Sequence, residues 1–85
     1  MAEKKFIGKI AHFYSKIGVA VIDLEDDLSV GDKISIERGE EKFEQHVDSM
    51  QIENENIKQA KAGQSIGLRV KEKTKEGANV FKVIE

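Results

Sequence analysis

The 85-residue sequence predicts an all-β fold: a small antiparallel β-barrel, closed or nearly closed, of about six strands. Three observations lead there. Short runs rich in β-branched and aromatic residues recur along the chain, and several alternate between apolar and polar residues as half-buried strands do. Glycine-containing turns separate those runs at near-regular intervals. No proline, internal repeat or low-complexity tract interrupts them.

The elements follow in order. Lys5–Tyr14 (KFIGKIAHFY) reads as the first strand and Val19–Leu24 (VAVIDL) as the second, with Gly18 supplying a turn residue between them. EDDLSVGD reads as a charged loop whose Gly31-Asp32 precedes Lys33–Glu37, where Ile34 and Ile36 alternate with polar neighbours. Arg38-Gly39-Glu40-Glu41 marks a hairpin tip leading into a fourth strand over Lys42–Met50. In QIENENIKQAKAG the spacing of Ile52, Ile57 and Ala60 predicts a loop with one helical turn, closed by Gly63. Ile66, Leu68 and Val70 then alternate with Gly67, Arg69 and Lys71 as a strand with one buried face. A turn at Gly77 precedes the last strand, Val80–Ile84.

Length bounds the rest. The chain accommodates one domain, residues 1–85, with residues 1–4 expected as a flexible lead. A chain of this size buries roughly 60–65% of its unfolded surface, so the core must be well organised. Cysteine is absent, which excludes disulfides and thiolate metal sites. The longest apolar run, GVAVI, is far shorter than the roughly 20 residues that span a bilayer. MAEKKFIGK lacks the apolar centre of a signal peptide. The expectation is a soluble, cytoplasmic domain with no membrane partner.

The net charge of −2 is unevenly spread: residues 1–56 carry 7 Lys/Arg and 13 Asp/Glu, residues 57–85 carry 7 and 3. Bulk charge therefore draws no nucleic acid, and any such contact would need a local basic face in the second half.

Several chemical motifs can be weighed at once. Gly63-Gln64-Ser65-Ile66-Gly67 matches the G-x-S-x-G pattern of a nucleophile elbow. That elbow requires a strand before the serine, a helix after it and a histidine further on. Here a loop precedes Ser65, a strand pattern follows, and His12 and His46 both lie upstream, so Ser65 is not read as a nucleophile. No G-x-x-x-x-G-K-[ST] loop is present to cradle nucleotide phosphates, so no nucleotide binding by this chain alone is expected. The acidic residues Asp23, Glu25, Asp26 and Asp27 lack the frame of a calcium loop, and two histidines without cysteine make no zinc pattern. The expectation is a non-enzyme without cofactor or metal.

GKI at Gly8–Ile10, IGVAVIDL, LSVGDKI, VDSM, AKAGQSIGLRV and GANVFKV together resemble the β-barrel second domain of translational GTPases, of the elongation factor Tu and initiation factor type. The resemblance spans about Phe6 to Val83. It departs at Gly77-Ala78, where the family often has Gly-Asp. GVAVIDL, VGDKI and FEQHVDSM are also similar to a C-terminal barrel domain of collagenase-like bacterial peptidases. The first resemblance implies a stand-alone barrel without its GTPase, and a pocket to which Asp48, Gly67 and Leu68 contribute.

Two further groups are candidates for RNA contact. Arg69, Lys71, Lys73 and Lys75 fall at period 2 and would form a positive stripe if one strand carried them all; a solvated strand end running into loop beside Glu72 and Glu76 is the plainer reading. His12, Tyr14 and Lys16 sit where aromatic rings beside a lysine stack on unpaired bases, or alternatively serve the core or rim. The expected function is a non-catalytic, translation-factor-like module touching tRNA or ribosomal RNA. The alternative is an accessory protein-interaction or substrate-recognition domain working with an enzyme partner such as a collagenase-like peptidase.

Overall fold

The computed structural model describes residues 3–84, and the chain within them is all-β and antiparallel. Ten strands form in order: β1 (Glu3–Tyr14), β2 (Val19–Leu24), β3 (Leu28–Ser29), β4 (Lys33–Arg38), β5 (Glu41–His46), β6 (Met50–Ile52), β7 (Glu55–Ile57), β8 (Gln59–Ala60), β9 (Ser65–Arg69) and β10 (Asn79–Ile84). Eight share one sheet in the order β5-β4-β10-β1-β2-β9-β6-β7, and β3 pairs with β8 in a two-stranded sheet. Each of the six runs expected from the sequence contains a strand, the fourth only as far as His46; β3, β6, β7 and β8 are short additions. Of the expected flexible lead, Glu3 and Lys4 pair with Ile84 and Val83, and residues 1–2 lie outside the described residues.

The twelve residues of β1 organise the sheet. Its first half pairs with β10 and its second half with β2, overlapping at Gly8 and Lys9. Two register shifts, between Phe6 and Gly8 and between Ile10 and His12, bend the strand as it passes from one neighbour to the other. The first shift explains why Ile7 and Ile10 both point inward although they are three apart. Gly8 makes the bend possible, because a Cβ there would overlap the carbonyl oxygen of Asp23 on β2.

The barrel, expected closed or nearly closed, is not closed by backbone pairing. No ladder joins the terminal strands β5 and β7 among the described residues, so the sheet is open. It nevertheless curls far enough for its first strand to meet its sixth, through one side chain. Gln45 of β5 is 5% exposed; its Nε2 donates to the carbonyl of Arg69 (2.9 Å) and its Oε1 accepts from the amide of Lys71 (2.7 Å). The side-chain amide thus takes the place of a ladder where no backbone strand is available. On the opposite side of the same segment, the Val70 amide donates to the carbonyl of Gly18 (2.9 Å).

Two other expectations change. Lys42–Met50 is not one strand: β5 ends at His46, the Val47 amide makes one more bond to the Asp32 carbonyl in the same register (2.8 Å), and Met50 begins β6. The segment expected as a loop with a helical turn is the β6–β7 hairpin followed by β8. Glu53 and Asn54 at its tip both have positive φ, 51° and 67°, the twist-matched two-residue turn of a tight hairpin.

Inside the curl, Ile7, Ile10, Ile22, Leu28, Ile34, Ile36, Met50, Ile66 and Leu68 are at most 2% exposed and form one cluster. Outside, Lys4 of β1 reaches over β10 to Glu37 of β4 at 2.8 Å, and the Ser35 hydroxyl donates to the same carboxylate at 2.9 Å. The Lys4 ammonium first, and the Ser35 hydroxyl second, hold the Glu37 carboxyl below its ordinary value of 4.5.

Two outcomes are expected. Gly8→Ala forces a backbone shift between β1 and β2 and lowers stability by about 1–3 kcal/mol, the range for overpacking, read by urea unfolding. Glu37 has a depressed folded pKa, so its contribution is present above its unfolded value near 4.5 and lost as pH falls through the lower folded value. The stability difference between the wild type and Glu37→Gln should therefore shrink in urea titrations as pH falls below 4.5.

Candidate binding surface

Alternation places every second residue of β2 and β9 outward, and these outward residues floor a groove. Ile66 and Leu68 are buried, which turns Ser65, Gly67 and Arg69 outward. On β2, Ala20 and Ile22 are buried, which turns Val19 and Val21 outward beside Arg69 and Gly67, their register partners. One wall is the β1–β2 turn, with Tyr14 49% and Ile17 60% exposed. The other is the β6–β7 hairpin, with Gln51, Glu53 and Asn54. Strand β6 leaves β9 after only two pairs, Met50 with Leu68 and Gln51 with Gly67, so the hairpin stands as a separate wall.

The groove has two parts that share Val19, Gln51 and Gly67. One, about 370 Å³, extends toward Asp48, Ser49 and Arg69. The other, about 400 Å³, extends toward Tyr14, Ile17 and Val21. Asp48 and Arg69 line the first part without an ion pair to each other among the described residues. Its lining is mixed in charge, rich in hydrogen-bonding groups and apolar at the floor.

The predicted site residues divide accordingly. Asp48 and Gly67 do meet in one cleft. Leu68 does not join them: it is 1% exposed and packs into the core, because its neighbours on β9 take the outward face. No tight approach requires glycine at position 67, since a Cβ there would meet only Val19 Cγ1 at 3.6 Å and the Gln51 carbonyl at 3.8 Å. The side chain is absent where the fold leaves room for one.

The basic stripe is not built. Strand β9 stops at Arg69, so Lys71, Lys73 and Lys75 lie in the loop before β10 and share no strand face with it. Lys75 instead borders a shallow depression with Phe13, Arg38 and Glu76. His12 and Tyr14 are exposed on β1, their rings edge-to-face at 4.3 Å, and His12 Nδ1 lies 2.8 Å from Glu76. Lys16 is exposed in the adjoining turn, and Phe13 packs against the core.

Other candidate chemistry is taken up locally. The Ser65 hydroxyl donates to Asp23 at 2.6 Å, and Ser65 opens a strand rather than a helix. Asp26 pairs with Lys5 at 2.6 Å, and this contact with Lys5 holds its carboxyl below the ordinary range. Asp32 lies 3.4 Å from Lys82. Among the described residues no group of three or more histidine or acidic side chains converges.

Comparisons with known proteins bear on which resemblance holds. No family model matches the chain. It is 37% identical over 76 residues to part of an uncharacterized protease of Methanocaldococcus jannaschii, covering 88% of this chain and spanning 19% of that relative. Its fold is similar to the C-terminal domain of a Geobacillus thermoleovorans protein called a U32 peptidase. The TM-score is 0.86 at 20% identity, covering 92% of this chain and 91% of that one. The selenomethionine variant of the same domain gives 0.84 at 19% identity, covering 89% and 96%. These likenesses fall on the collagenase-like peptidase domain and not on the translational GTPases, so the translation-factor expectation is without support.

Proposed function

We propose that this chain is a non-catalytic accessory domain, a protein-interaction or substrate-recognition module that works with a collagenase-like peptidase. The observation that carries this reading is the 37% identity over 88% of the chain to one segment of a protein called a protease. That segment is 19% of the relative, which leaves the remainder to hold a catalytic machinery that this chain need not contain.

The physical arrangement supports the same reading. The interior is filled with apolar side chains, and the groove lies on the outer face of the sheet. The described residues therefore offer surface recognition, with hydrogen-bonding walls and an apolar floor, rather than an enclosed reaction chamber. Dispersal of Lys71, Lys73 and Lys75 into a loop beside Glu72 and Glu76 removes the regular phosphate-tracking stripe on which an RNA reading would rest.

Mixing the purified chain with a collagenase-like peptidase from the same cell, and separately with tRNA and ribosomal RNA, tests this reading by calorimetry over 50–500 mM salt (about a tenfold range, wide enough to expose phosphate contacts). The expected outcome is peptidase binding that changes by less than about threefold across that range, as a contact resting on apolar anchors does. RNA binding that falls steeply with salt and is abolished in the Arg69→Ala, Lys71→Ala double variant would overturn it. Absence of peptidase binding at every salt concentration would overturn it equally.

A further inference from the structure

Two residues of the groove are poor choices for the backbone they occupy. Gly67 lies inside β9, where a residue with a side chain would hold the strand better and where the backbone leaves space for one. Glu53 lies in the left-handed region at φ 51°, where glycine or asparagine is the favoured residue. The first position has lost a side chain that the fold could use, and the second carries one that the turn disfavours. Both line the same groove, Gly67 as the floor and Glu53 on the wall. Local choices that oppose the fold without structural compensation are expected at functional sites.

From these two features we infer that the groove binds an extended polypeptide segment in which an apolar or aromatic residue is followed by a basic one; this rests on the accessory-module reading above. The apolar side chain lies on the open floor made by Gly67, Val19 and Val21, covered from one side by Tyr14 and Ile17. The basic side chain faces Glu53, on a hairpin that carries Glu55 as well. Charge complementarity selects this occupant. The acidic charge gathers at the hairpin wall, where Glu53 stands with Glu55 beside it. Arg69 and Lys16 lie toward the opposite end and the β1–β2 turn, an arrangement that suits a basic side chain at Glu53. Asn54 supplies an amide able to meet a peptide backbone, and Gln51, whose Nε2 donates to Asn56 at 3.0 Å, offers its Oε1 as an acceptor.

The probe is the capped tetrapeptide Ac-Gly-Phe-Lys-Gly-NH2, titrated into the isotopically labelled full chain and followed through backbone amide resonances. Saturable shifts centred on Val19, Val21 and Gly67 are expected. Replacing Phe by Ala in the peptide should weaken binding about tenfold or more, the effect of losing one buried aromatic side chain. Replacing Lys by Glu should weaken it about threefold, as for an exposed charge contact. Gly67→Val should weaken it about tenfold or more and Glu53→Gly about threefold, while neither lowers the thermal midpoint, since each suits its backbone better than the native residue. Wild-type affinity in folded Gly67→Val, shifts centred on another face, or an oligouridylate that binds the same amides more tightly would overturn the assignment. If the peptidase still binds in the mixing experiment while the groove takes no peptide, the groove alone is wrong; failure of both removes the reading beneath it.

Discussion

The architecture depends on the buried amide of Gln45. An antiparallel sheet with an open ladder order has two unsatisfied edges, and this one is drawn into a curl at the point where β5 meets the end of β9. One donor and one acceptor on Gln45 meet the acceptor and donor that flank Val70, while the Val70 amide is held from the other side by Gly18. Each such hydrogen bond contributes about 1 kcal/mol net, but leaving the backbone groups unpaired in a buried seam costs more than that. The side chain therefore matters less for the energy it adds than for the alternative it excludes. Among the described residues no buried side-chain polar atom lacks a partner, the Gln45 amide included.

That seam also decides which face of the sheet lies inside. Curling turns Ile34, Ile36, Ile66 and Leu68 toward one interior and leaves the alternate residues facing out. The groove over β2 and β9 is an outside feature, framed by two hairpin ends that the curl brings near each other. Its floor and wall hold Gly67 and Glu53, two residues that their own backbone positions do not favour, and the proposed binding role rests on these two rather than on a charged cluster.

Much of the fold was legible in the sequence. Ile34/Ile36 and Ile66/Leu68 alternate visibly, and glycines mark the turns at 18, 31, 39 and 77, all with positive φ. The β6–β7 hairpin was not legible, because Ile57 and Ala60 are spaced compatibly with a helical turn and Glu53 is an unusual residue for a positive-φ position. The basic stripe misled because period 2 means a shared face only while the strand continues, and β9 ends at Arg69. Gln45 lies on the inner face by alternation with Phe43 and Val47, but its partners at Arg69 and Lys71 are more than twenty residues away and cannot be read from the local pattern. The collagenase-like resemblance lay in GVAVIDL, VGDKI and FEQHVDSM, beside a translational one carried by equally short motifs.

Native-state hydrogen exchange at the Lys71 amide tests the seam most directly, because this amide belongs to an exposed loop residue and its protection comes from Gln45. The structure requires slow exchange in the wild type and an acceleration of about tenfold or more in Gln45→Leu, equivalent to roughly 1.4 kcal/mol of lost protection. Exchange at Lys71 as fast as at Lys73 in the wild type, or protection unchanged in the variant, would contradict the account.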